Sequence, residues 1–391
     1  MAKSKNQLEV KEGRGFVRTP VQLELFGSTR QLNLSKTYVS IPKEVSPKDP
    51  MIHWESKNIA LPIEKAFSVD GETGLATHIS EIKPANIKNP KTGIYKSYFP
   101  HFRELKLENA LISLISKFWQ SVSYHGEGQG GSVYRIELTI YQIQKEIIDA
   151  MNLQDGTDKK VNDCPFNTTS VREGLAVLKE TTYVVRDAET GKQSYSFNRI
   201  KDFFINEDNG KVLIEIGTMV SEYISRGDWN VADSTSILAS SNYYTMKLRM
   251  HLNLYFRFAK RGAFYNISMA RLIEKIDFRE YPTKRMTMFK LVKLIESLHE
   301  VREVVSIPKK DGRKIVGAVF HIFPSDSFIQ SMIEANKLHK RTQNALIEND
   351  LQKALIEPLE SDFVSVTEYH EAKRKYDIAK GKILHARLHS N

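Results

Sequence analysis

The 391-residue sequence predicts an α+β chain, and three observations carry that expectation. An order of elements (helix, strand, helix, turn, helix, hairpin) can be read between about residues 101 and 200 and again between about 243 and 323. Amphipathic 3.6-residue patterns mark the helices, and alternating β-branched runs mark the strands. The composition, 41% hydrophobic and 10% aromatic, suffices for packed cores. That element order is the order of a winged helix, in which the third helix and the hairpin are offered to DNA. Two tandem winged-helix domains are therefore expected, with an irregular N-terminal extension and a helical C-terminal tail. The expected boundaries are 1–97 for the extension, 98–230 for the first winged helix, 231–335 for the second and 336–391 for the tail.

In the extension, Pro42, Pro47, Pro50, Pro62, Pro84 and Pro90 separate short apolar stretches, so short strands or an extended arm are expected. The run HFRELKLENALISLISKFWQS places Leu105, Leu107, Leu111, Ile112, Leu114, Ile115 and Phe118 at spacings of a well-buried helix. Gly126, Gly128, Gly130 and Gly131 read as a flexible loop before the strand VYRIELT. Thr139 with Gln142 forms a capping box that opens the helix YQIQKEIIDAMN. In NTTSVREGLAVLKET, Val171, Leu175 and Leu178 share one helix face, and Thr169, Arg172, Glu173 and Lys179 share the other. TYVVRD and SYSFNRI then make a hairpin with Gly191 in its tip.

The second occurrence begins with NYYTMKLRMHLNLYFRFAKRG, a helix expected to stop at Gly262. FYNIS is a strand, Ser268 caps the helix MARLIEKID, and Thr283 is the expected N-cap of the third helix, TKRMTMFKLVKLIESLHEV. There Met286, Phe289, Val292, Ile295 and Leu298 are expected to pack inward, with Lys284, Thr287, Lys290, Lys293 and Ser297 opposite. VREVVSIP, the tip KKDGRK and IVGAVFHIF form a hairpin turning at Asp311 and Gly312. A further helix starts near Asp326 and is interrupted at Pro358. The tail, with Lys373, Arg374 and Lys375 together, reads as a solvated peripheral helix.

The net charge is +10. Residues 101–200 hold 12 basic and 13 acidic side chains, whereas residues 249–321 hold 16 basic against 7 acidic, an excess of nine. Such localisation favours one anion-binding face. Within it, Lys284, Arg285, Thr287, Lys290 and Lys293 on the third helix, and Lys309, Lys310, Arg313 and Lys314 on the hairpin, are the candidate DNA contacts. Arg pairs bidentately with guanine, Thr meets a base edge or thymine methyl, and Lys more often meets phosphate. The first unit is near neutral and offers Thr169 and Arg172 as auxiliary contacts, which suits it to protein contacts.

Cys164 stands alone, which excludes a disulfide framework and points to a reducing compartment. No signal-peptide core and no 18-residue apolar run occurs, so a soluble cytoplasmic chain with no membrane partner is expected. Neither a phosphate loop nor H-E-x-x-H nor a His-apolar-His pair is present, so no catalytic residue, metal or cofactor is expected. His251 and His321 read as packing or hairpin residues, Glu296 and Glu300 as a solvated face, and Trp119 and Trp229 as core aromatics.

The runs VYRIELTIYQIQKEIIDAM, VREGLAVLKETTYVVRDAETGK and YYTMKLRMHLNLYFRFAKRGAFYNISMARLIEKI resemble the RepA-like replication initiators of theta-replicating plasmids, over roughly residues 100 to 335. The resemblance implies two tandem winged helices. The first would mediate dimer contacts, and the second would bind directly repeated origin sequences in duplex DNA. Monomers would help to open the origin and recruit the host helicase or its loader, while dimers would repress the initiator's own gene. It carries the DNA-contact role onto Lys284, Arg285, Thr287 and Lys290, and the assisting role onto Thr169 and Arg172. The N-terminal hundred residues and the tail depart from shorter initiators. Three other readings stay open: a winged-helix transcription regulator, a nucleic-acid enzyme (primase or nuclease) with an unrecognised site, and, disfavoured by the charge asymmetry, a protein-interaction scaffold.

Overall fold

The computed structural model describes residues 31–45, 53–56, 61–71, 74–88, 92–117, 123–125, 133–206, 209–221 and 230–354, with a few positions between 365 and 377. Phe118, Trp119, Trp229, Lys375, Pro358 and the glycines from 126 to 131 lie outside the described residues. The chain divides into two compact units, Phe26–Arg341 and a second made of Met1–Leu25 with Thr342–Asn391.

The larger unit mixes helices with antiparallel sheets, an α+β arrangement. The segment expected to be irregular holds β1 (Gln31–Leu34), α1 (Lys36–Ser40), β2 (His53–Ser56), β3 (Ile63–Gly71), β4 (Gly74–Lys83), β5 (Ala85–Lys88) and β6 (Tyr95–Tyr98). Next come α2 (Phe102–Lys117), β7 (Ser123–His125), β8 (Val133–Thr139), α3 (Ile140–Asp155), α4 (Thr168–Glu180), β9 (Thr182–Asp187), β10 (Gln193–Phe197), β11 (Ile200–Asn206) and β12 (Lys211–Ile216). The remainder is β13 (Asn230–Asp233), α5 (Ser234–Leu238), α6 (Tyr243–Tyr255), β14 (Tyr265–Ser268), α7 (Met269–Ile276), α8 (Lys284–Glu296), β15 (Val301–Asp311), β16 (Lys314–Pro324) and α9 (Asp326–Ala354).

Local chemistry fixes where the helices start. The Thr139 hydroxyl accepts the Gln142 N–H while the Gln142 side chain accepts the Thr139 N–H, a complete capping box on α3. Asn167, Ser268 and Thr283 cap α4, α7 and α8 in the same way, each accepting from the third residue along. One end differs from expectation. α6 stops at Tyr255, well before Gly262, because Phe256 packs on Tyr265 and Phe328 and Arg257 turns to hydrogen-bond Asn336. Gly262 instead takes φ of +80° in the following turn, a conformation open to glycine.

Sheet partners are set over long range. The β9 and β10 hairpin is not free: the four-stranded sheet runs β10, β9, β4, β3, with Ile82 opposite Tyr183 and Ser80 opposite Val185. Tyr183, Val184 and Val185 are all buried, so both faces of this strand are covered, and the N-terminal segment pairs the edge that β10 leaves open. Similarly β8 joins the sheet β11, β12, β8, β7. In the later half, β14, β16 and β15 form a separate three-stranded sheet in that order.

One apolar cluster ties the halves together: Leu34 of β1, Leu105 and Ile112 of α2, Ala232, Ile237, and Tyr243, Met246, Met250 and Leu254 of α6. Beside it lies a buried charge network. Glu44 pairs with Arg199 and, at 2.6 Å, with Lys247; Arg199 also lies 3.3 Å from Glu108, which accepts the Tyr38 hydroxyl. Lys43 donates to Tyr38 O at 2.6 Å. Burial pulls the Lys43 ammonium down to about 7 against the raising pull of Glu108 and Glu44. Arg199 and Lys247 thus lie beside the carboxylates of Glu44 and Glu108.

In the smaller unit, the described residues include residues 342–354 of α9, the Tyr369 N–H bonded to Ser365 O, and Lys373 over the Tyr376 ring at 5.2 Å. Among the described residues, no helix is long and apolar enough to cross a membrane.

Candidate nucleic-acid interface

α8 is held by its buried face. Thr287, Leu291 and Ile295 are buried within it, followed by Leu298 just past its end. This corrects the expected facing. Met286 and Phe289 are 47% and 54% exposed, and Thr287 is 0% exposed. A strict spacing of three drifts by about 60° per step around a helix of 3.6 residues per turn, so Met286, Phe289, Val292, Ile295 and Leu298 cannot share a face. The series Thr287, Leu291, Ile295, Leu298 steps by four, four and three and stays on one face. Thr287 tolerates burial because its hydroxyl is satisfied: it accepts the Tyr281 N–H at 2.9 Å and donates to Thr283 O at 3.2 Å. It therefore packs and cannot touch a base.

The outward surface of α8 carries Lys284, Arg285, Met286, Phe289, Lys290 and Lys293, all exposed. Lys284 pairs with Glu280 one turn before it. The Lys293 ammonium lies 4.6 Å from the Phe289 ring centroid, and Lys290 lies 5.9 Å from that of Tyr281. α8 packs against both β15 and β16.

Those strands are longer than the sequence suggests. Each spans 11 residues, with Asp311 opposite Lys314, so the tip is only Gly312 and Arg313. Gly312 has φ of +57°, the left-handed conformation such a turn demands. Lys309, Lys310, Arg313 and Lys314 are all exposed around this tip. Ala318, Phe320 and Ile322 bury the inner side of β16. The structure thus brings eight of the nine predicted contacts of this half to the surface of one packed helix and hairpin, and withdraws Thr287.

In the first half, Thr169 is exposed and Arg172 half-buried on α4. Charged neighbours there pair with each other: Arg103 with Glu173 at 3.3 Å, Lys179 with Asp202 at 2.7 Å, and Arg186 with Glu81. Such mutual pairing leaves little net field for an anion.

Glu300, His251 and His321 each have a packing partner. Glu300 is buried and lies 3.1 Å from Arg249, so it does not share a solvated face with the exposed Glu296. His251 Nε2 hydrogen-bonds the Tyr265 hydroxyl at 2.9 Å, and His321 stacks on Phe264 at 4.2 Å. Among the described residues, no group of three or more His, Cys, Asp or Glu side chains could hold a metal ion.

No protein-family model matches the chain, and no curated protein matches it in sequence. Among solved structures the chain is similar to a Pi initiator protein crystallised in complex with iteron DNA. That likeness has 17% identity and a TM-score of 0.39, and it covers 57% of this chain and 91% of that one.

Proposed function

We propose that this chain is a non-enzymatic replication initiator that binds specific repeats in duplex DNA. The observation that carries the DNA reading is the exposed basic face of α8 and the β15 and β16 tip, formed by Lys284, Arg285, Lys290, Lys293, Lys309, Lys310, Arg313 and Lys314. In the proposal, residues 98–230 and 231–335 each act as a winged helix, and α8 is the recognition helix of the second. Its first turn faces base edges while the hairpin meets the backbone or the adjacent minor groove. The element order α6, β14, α7, α8, β15, β16 and the sheet order β14, β16, β15 support that assignment. The initiator role is supported by the resemblance of the runs around α3, α4 and α6 to RepA-like proteins. The near-neutral first half, with Thr169 and Arg172 as auxiliary contacts, serves a second copy of the chain in a monomer and dimer equilibrium. Host helicase or its loader is the further partner, in the cytoplasm.

Footprinting on the DNA flanking the gene tests this. Protection of several direct repeats is expected, and the gene with that DNA should sustain a plasmid that lacks any other origin. Protected DNA without plasmid maintenance would make the protein a transcription regulator. No protected sequence would end the DNA reading.

A further inference from the structure

Two residues of the outward α8 surface do not fit a purely phosphate-binding role. Met286 and Phe289, the third and sixth residues of the helix, are among the large apolar side chains left exposed, at 47% and 54%. Leaving both in water forgoes the burial that drives folding. They are also ringed by charge: Arg285 precedes them, Lys290 follows, and the Lys293 ammonium lies against the Phe289 ring. An apolar crest between cations is a poor surface for the protein's own core and a good one for a polyanion that displays apolar groups at its base edges. The major groove of duplex DNA offers one such group, the C5 methyl of thymine, at a depth that a helix inserted by its N-terminal part reaches.

We infer that Met286 and Phe289 read thymine methyl groups, making them specificity determinants set between phosphate-binding cations. This rests on the DNA reading above. It divides labour along the helix: Arg285 contacts a polar base edge, Met286 and Phe289 contact methyls, and Lys290 and Lys293 contact the backbone. A protein partner seated on the same crest is the alternative occupant. The surrounding positive charge, with Glu296 the one exposed acidic residue of α8, favours the polyanion.

The test uses the full chain. Duplexes are enriched from a randomised pool, and the best binder is resynthesised with deoxyuridine replacing each thymine in turn, which removes only the methyl. Affinity is read by fluorescence anisotropy for the wild type, Met286→Ala and Phe289→Ala. One or two positions should weaken the wild type by about fourfold per methyl lost, the equivalent of one buried methylene. The alanine variants should bind thymine and uracil alike at those positions. Both residues are exposed, and the wild-type comparison needs no variant at all. An enriched duplex bound equally with thymine and uracil everywhere overturns this inference and leaves the DNA reading standing. Discrimination that survives both variants overturns it as well. So does unchanged DNA binding joined to lost self-association, which would mark the crest as a protein-docking face. If no duplex is enriched, the DNA reading falls and this inference with it.

Discussion

Arg285 and Thr287 sit two residues apart on α8 and illustrate how burial separates roles. Arg285 is exposed in the first turn, free of any acidic neighbour at i+3 or i+4, and can present a bidentate fork to guanine. Its replacement by alanine should cost about 1 to 3 kcal/mol of binding and relax preference at one base pair. Uniform weakening on every sequence would make it a phosphate contact instead. Thr287 should behave oppositely. Thr287→Val strips the acceptor from the Tyr281 N–H, leaving it unsatisfied, and should cost about 1 to 3 kcal/mol of folding stability with base preference unchanged. Urea denaturation beside a binding assay separates the two. The spacing of three and four with Lys284, Lys290 and Lys293 predicts Thr287 outward, and nothing in the string announces that a backbone N–H six residues back will satisfy its hydroxyl.

Helix beginnings were legible because caps are local: Thr139, Ser268 and Thr283 each act within three residues. The two-residue turn at Gly312 could likewise be anticipated, though its strands extend further into KKDGRK than their charge suggested. Sheet partners were not legible. β9 finds β4 about a hundred residues earlier, and no alternation in either strand names the other. Hidden for a similar reason were Glu44 and Arg199, charged residues that ordinarily mark a surface, here paired in the core 155 residues apart. The end of β12 shows how tightly that arrangement is built. Gly217 donates its N–H to Arg199 O at 2.9 Å, and a Cβ there would lie 1.9 Å from Asn198 O and 2.8 Å from Arg199 O. Both neighbours are backbone atoms that cannot swing aside. Gly217→Ala should therefore destabilise the protein by about 3 kcal/mol or more, measured by chemical denaturation.

At the scale of the whole molecule, two charge distributions matter, one buried and one exposed. The buried one makes stability depend on pH. Lys43 titrates near 7 in the folded protein against 10.5 as its ordinary value, so between those limits the unfolded chain holds a proton that the folded chain has shed. Stability from this group is therefore gained as pH rises through that window and is lost again as pH falls through 7. The melting temperature of the wild type, relative to Lys43→Met, should climb between pH 7 and 9. Parallel curves would mean that Lys43 stays charged in the core. The exposed distribution is the one on which the proposed DNA binding rests. The excess of nine positive charges in residues 249–321 was visible in the string, but its division into an α8 surface and a hairpin tip needed the register of β15 with β16 and the facing of α8.

The salt dependence of DNA affinity reads out whether the α8 and hairpin face holds DNA, because each phosphate neutralised on duplex DNA contributes a slope of about −0.9 in log K against log salt. With six such contacts, affinity should fall roughly a thousandfold between 50 and 200 mM salt. Replacing Lys309, Lys310, Arg313 and Lys314 together by alanine should make that slope shallower by about three to four. A shallow slope in the wild type, or a steep slope that the fourfold variant leaves unchanged, would contradict the assignment of this face to DNA.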